Sequence, residues 1–260
     1  MLILVLMALA PALGCNARRA GTFSGSTETI FKMTDPAGDD NGPGTYKYPT
    51  GPAFEPGKKL FDLEEFQVKA DRDNYYFFLR FAEIRDPMGS PGGFMELAHI
   101  YIADGSPRGL TETERAGANV SFDSKNPWHY LIKVMSWENS AVFYSEKGRN
   151  QEGVRGVKAE AVPGDNTIKV TVARKLLPGR AAGWKYYVLV GSQDGSGPDN
   201  FRRVSKQPGD WVFSGSQGSE YEPNVIDILA PEKGRHSQKS MLSSYDADAG
   251  KYAAIYPVTR

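Results

Sequence analysis

The chain has 260 residues, and 31 Lys plus Arg balance 31 Asp plus Glu, so its formal charge is zero. That balance removes the electrostatic case for nucleic acid or an anionic membrane surface as a partner. A hydrophobic content of 40% supports a sizeable core and excludes a disordered chain, and 28 glycines, 17 prolines and 12% aromatics point to short strands joined by ordered turns.

Residues 1–14, MLILVLMALAPALG, are apolar throughout. The run is shorter than the roughly 20 residues that span a bilayer and has the length of a signal-peptide apolar region, although no Lys or Arg precedes it. Cys15 follows as the single cysteine of the chain, so no disulfide can form within it. Ala12-Leu13-Gly14-Cys15 resembles a bacterial lipobox, departing from it at Ala12, and this implies lipidation at Cys15. Residues 15–28 then read as the lipidated cysteine and a flexible tether. The folded domain is expected over 29–260. These features predict an exported protein of the cell envelope, held to the outer face of a membrane by its lipid anchor alone.

Thr29–Met33 reads as a first short strand. It leads into DPAGDDNGPGTYKYPT (35–50), the densest run of structure-forcing residues in the chain. Prolines fix φ there, glycines permit tight turns, and neither a helix nor a central strand accommodates the mixture. Asp35, Asp39, Asp40 and Asn41 make it an oxygen-rich loop, suited to a hard cation such as calcium, which takes roughly six to eight oxygen ligands. The alternative is an Asx-rich turn whose carboxylates accept backbone N–H groups. No organic cofactor is expected.

Phe61–Lys69 alternates in the strand period but slips by one at Glu64-Glu65, which a β-bulge absorbs. Asp71–Asn74 has hairpin-turn composition, and Tyr75–Phe81, apolar on both faces, reads as a central strand. After a loop at Asp86–Gly93, Phe94–Ile102 reads as a buried strand and Asp104–Asn119 as a long polar segment. Trp128–Ser136 and Ala141–Ser145 form one predicted hairpin, and Val154–Val162 with Thr167–Val172 a second. Arg174–Leu177 is a short turn between strands, and Trp184–Val190 a strong central strand. Gly191–Phe201 is a second Gly/Asp loop, whose Asp194, Asp199 and Asn200 either complete the first acidic site or form another. Asn224–Leu229 is a short apolar piece, and Lys239–Tyr245 at most a turn or two of helix. The pattern predicts an all-β protein, a single antiparallel β-sandwich with few or no long helices.

The stretches 35–50, FDLEEFQV (61–68), GGFMELAHIYI (92–102), NPWHY (126–130), VLVGSQDGSGPDNFRRV (188–204) and NVIDIL (224–229) resemble the C-terminal binding module of glucodextranase, found also at the end of some amylopullulanases. This group is DOMON-like and related to carbohydrate-binding modules. The resemblance covers roughly residues 29–258. It implies a jelly-roll-like or immunoglobulin-like sandwich without catalytic activity, which binds carbohydrate or attaches to the cell surface. Expected partners are a polysaccharide or cell-wall glycan and a separate glycosidase or transporter, with α-glucan the expected context. In the family the module usually trails a glycosidase domain; none is recognisable here.

Catalytic signatures are absent from the sequence. There is no G-x-S-x-G elbow and no H-E-x-x-H pair. Residues 51–58 have one residue too many between glycines for a phosphate loop, and Lys59 stands where Ser or Thr is needed. Glu64 and Glu65 are adjacent in a strand and face opposite ways. His99 reads as packed core. Haem, bound by some DOMON-like domains, is the alternative function and would draw on Met88, Met95, His99 or Met135; a structural or interaction subunit of an envelope complex is another. Sugar binding calls for exposed aromatic faces with polar neighbours. Tyr46 and Tyr48 beside the acidic loop, Trp128 at a strand start and Trp211 after Pro208-Gly209-Asp210 are the candidates. Trp137 sits at a predicted hairpin tip, and Trp184 reads as core.

Overall fold

The computed structural model describes residues 27–54 and 59–260. The signal peptide at 1–14, Cys15 and nearly all of the tether lie outside the described residues. In chain order the strands are β1 (Glu28–Thr34), β2 (Leu63–Ala70), β3 (Asn74–Phe81), β4 (Glu96–Ala103), β5 (Val120–Phe122) and β6 (Tyr130–Val134). There follow β7 (Ala141–Tyr144), β8 (Val157–Ala161), β9 (Thr167–Ala173), β10 (Lys185–Ser192), β11 (Asp227–Ile228) and β12 (Ala253–Ile255). One short helix, α1 (Gln238–Leu242), lies between β11 and β12. Among the described residues no helix is long and apolar enough to cross a membrane.

Two antiparallel five-stranded sheets form the sandwich. The first runs β1-β2-β3-β9-β8 and the second β11-β10-β4-β6-β7. Alternation decides which side chains meet between them. Phe66, Val68, Phe77, Leu79 and Val170 from the first sheet pack on Ile100, Ile132 and Val188 from the second. Tyr186 ties the layers together, its ring 4.8 Å from Phe31 and 5.4 Å from Phe66. The slip at Glu64-Glu65 is a β-bulge: Leu63 pairs with Phe81 but Glu65 pairs with Arg80. The extra residue leaves Leu63, Phe66 and Val68 all buried. The two glutamates serve separate ion pairs, Glu65 with Lys32 at 2.9 Å and Glu64 with Arg80. The turn at Asp71–Asn74 closes through Asp71 Oδ1, which accepts the Asp73 and Asn74 N–H groups at 2.8 Å.

The outer face of the second sheet is covered as well. Leu97, Tyr101, Leu131, Tyr187 and Leu189 form a second core with Val120, Phe122, Met241, Leu242 and Ile255. Those covering residues come from β5, α1 and β12, and β5 pairs with β12 in parallel. Every residue of β4 is therefore buried. This layer of cover was missed in the sequence because each strand in it is three residues long, too short to show a period.

Candidate functional site

The acidic loop folds back on the segment around β11. The Gly42 N–H donates to the Ile226 carbonyl at 2.8 Å, and the Ala230 N–H donates to Asp35 Oδ1 at 2.7 Å. Gly42 has φ of +61°, and a Cβ there would lie 2.3 Å from the Tyr46 ring, so both backbone and space demand glycine. Gln238 in α1 braces the other side: its amide donates to the Asp39 carbonyl and accepts the Ile228 N–H.

This folding brings Asp35, Asp39 and Asp227 together, with one carboxylate oxygen of each lying within 4.8 Å of the others. Leu63 N–H donates to Asp227 Oδ2 at 2.7 Å. Asp35 Oδ2, Asp39 Oδ1 and Asp227 Oδ1 are buried and have no hydrogen-bond partner. Burial first, then the charges of Asp39 and Asp62, raises the pKa of Asp35; burial first, then Asp62 and Asp40, raises that of Asp39. Asp227 is raised by burial and then by Asp35 and Asp39. Orphaned carboxylate oxygens in a shared site fit a hard divalent cation, with carbonyl or water oxygens completing its shell.

Of the four residues expected to hold that ion, only Asp35 and Asp39 are in the cluster. Asp40 turns to the Tyr48 hydroxyl and to Lys59, whose Nζ is 3.6 Å from it. Asn41 contributes its backbone carbonyl to turn hydrogen bonds from Gly44 and Tyr46. Asp227 was missed, and its signal was present: a lone carboxylate inside the apolar run NVIDIL. The second Gly/Asp loop does not complete this cluster, since Asp199 lies against His99 and Lys133.

The aromatic candidates separate by burial. Tyr46 is buried, and its hydroxyl donates to the Pro223 carbonyl at 2.5 Å. Tyr48 packs on Phe54, Phe61 and Phe213, and its hydroxyl accepts the Phe61 N–H at 3.0 Å. Both tyrosines are supports of the acidic loop. The expectation of an exposed ring at Trp128 is corrected: it is 0% exposed, donates Nε1–H to the Glu112 carbonyl at 2.7 Å and meets Tyr101 edge-on in the second core. Trp211 is 37% exposed and stands edge-on to Phe54, with ring centres 5.3 Å apart. It lines an open groove of 640 Å³ with Pro52, Ala53, Arg85, Asp86, Pro87 and Met88. Of the haem candidates, Met88 is exposed in this groove, Met95 is in the inter-sheet core and Met135 in the second core.

A family model described as the C-terminal binding module, SLH-like, of glucodextranase matches residues 30–257. A search of the curated proteins gives no match. Among solved structures the chain is similar to a carbohydrate binding module family 9 from Caldicellulosiruptor kristjanssonii in complex with cellotriose. The two share 10% identity over 88% of this chain and 90% of that one, with a TM-score of 0.30.

Proposed function

We propose that this chain, which belongs to the family of C-terminal, SLH-like binding modules of glucodextranase, is a non-catalytic module that binds polysaccharide through the groove at Trp211. The observation that carries the reading is an exposed indole held on edge by a buried aromatic, with Arg85 and Asp86 beside it in one groove. A flat apolar ring takes the C–H face of a sugar while charged neighbours take its hydroxyls. An open groove suits a segment of a polymer better than a single enclosed sugar. An α-glucan is the ligand class the family association favours.

Affinity electrophoresis against α-glucans and cell-wall polymers tests this. At least one polymer is expected to retard the wild-type domain, and Trp211→Ala to weaken that binding ten-fold or more without changing the melting temperature. Equal retardation of the two proteins removes Trp211 from the site and sinks the reading.

Two supports accompany the proposal. Asp35, Asp39 and Asp227 hold a calcium ion that pins the acidic loop to β11; their orphaned oxygens favour this over a turn held by its own hydrogen bonds. Cys15, read from sequence alone, carries the lipid anchor that keeps the exported domain at the cell envelope, near a glycosidase or transporter.

A further inference from the structure

Another pocket opens at the end of the second sheet where β4 stops, β6 starts and β7 stops. Its volume is 390 Å³, the size of a small-ligand site. Its apolar wall is a pair of tyrosines. Tyr130 and Tyr144 are cross-strand partners on β6 and β7, and their rings meet edge-on with centres 6.0 Å apart. The Tyr130 hydroxyl donates to the Pro178 carbonyl at 2.9 Å, and the Tyr144 hydroxyl to the Leu176 carbonyl at 3.0 Å. Both rings are thereby fixed, and both are half-buried in the pocket wall.

The polar residues of the lining keep bonding capacity that the protein does not use. His129 and Ser145 line the pocket and are each 8% exposed. His129 Nδ1 accepts the Asp104 N–H at 3.1 Å, while its Nε2 has no hydrogen-bond partner. The Ser145 hydroxyl likewise has no partner among the described residues. Buried polar groups are normally satisfied, so two such groups in one lining mark a place where a polar molecule fits. Arg108 and Glu146, both exposed, also line the pocket and form no ion pair among the described residues.

Charge then selects the ligand class. Arg108 and Lys147, whose Nζ lies 4.9 Å from the centre of the Tyr144 ring, balance Asp104 and Glu146. Such a lining favours neither an anion nor a cation. It sets donors and acceptors side by side against aromatic rings. A sugar presents the matching set, hydroxyls that each donate and accept, and apolar C–H groups.

We propose that this pocket is a second saccharide site, which takes the end or a short stretch of a neutral oligosaccharide. Tyr130 and Tyr144 face its C–H groups, Arg108 donates to its hydroxyls, Glu146 accepts from them, and Ser145 does both. The ligand class rests on the reading of the chain as a polysaccharide-binding module; the site itself does not depend on Trp211.

The test uses the Trp211→Ala protein as host, so that the open groove is silent. It is titrated calorimetrically with maltotetraose, cellotetraose and isomaltotetraose. Binding of at least one of them is expected, and adding Arg108→Gln or Glu146→Gln is expected to weaken it ten-fold or more at an unchanged melting temperature. Both residues are exposed, so these variants report on binding and not on folding. Unchanged affinity in either added variant overturns the proposal. So does equal or tighter binding of a glucosamine tetramer, because the carboxylates would then be selecting positive charge. If Trp211→Ala binds none of the three sugars while wild type binds one, this second site fails and the Trp211 groove stands. If wild type binds none either, the carbohydrate reading fails with it.

Discussion

Glu96 opens β4 with its side chain fully buried, and only one of its oxygens is hydrogen-bonded: Oε2 accepts the Met95 N–H at 3.0 Å, while Oε1 has no partner. Burial raises its pKa from 4.5 to about 8, with the charge of Asp86 adding to the shift and the backbone hydrogen bonds opposing it. The folded protein therefore favours the protonated form. The stability this form contributes is complete below about pH 4.5 and is lost as pH rises through about 8. Glu96→Gln keeps the shape and cannot ionise. It is expected to match wild type near pH 4.5 and to exceed it by about 1–3 kcal/mol at pH 9, since a pKa unit is worth roughly 1.4 kcal/mol. Urea midpoints at the two pH values measure this, and an identical difference at both sinks it. At this scale the sequence named residue types well and orientations poorly. Trp128 and Tyr46 have the chemistry of sugar platforms, yet their polar atoms bond backbone carbonyls and their rings close the cores. Which face a ring presents depends on partners far away in the chain.

At the scale of elements, the loop at 35–50 and strand β11 act as one unit. Turn chemistry confined to residues 35–44 shapes the loop, and that part was legible because Pro and Gly act locally. Its docking was not: Gly42 bonds Ile226 and Asp35 bonds Ala230, contacts that span most of the chain. If Asp35, Asp39 and Asp227 bind calcium as proposed, the ion would cross-link these two elements and stabilise the folded state alone. At a calcium concentration of about 100 times Kd the gain is roughly 2.7 kcal/mol. Thermal melting in EDTA and then in excess calcium is expected to show a clear rise for wild type and none for Asp227→Asn. Without calcium the variant is expected to be as stable as wild type or more so, because it removes one of three crowded carboxylates. A wild-type midpoint that ignores calcium refutes the ion. The pair β5 and β12 follows the same rule in reverse. Each is three residues of ordinary sequence, and their strand state comes from pairing with each other across the chain.

At the scale of the molecule, the sandwich leaves Trp211 exposed in an open groove outside both cores. If Cys15 carries lipid, metabolic labelling with a fatty-acid analogue marks the wild-type protein and spares Cys15→Ser; equal labelling of both rejects the anchor. The sequence by itself determined the all-β class, most strand positions, the bulge at Glu64-Glu65 and the family, because hydrophobic alternation and turn residues are local signals that survive without neighbours. Tertiary structure alone decided which carboxylates meet, which aromatics stay in water, and that β4 is covered on both faces. It also decided that His99 stands against Lys133 and Asp199. Those outcomes rest on contacts between distant segments, where register and sheet order select the partner. A residue's own identity states what it can bond, and only the fold supplies what lies within reach.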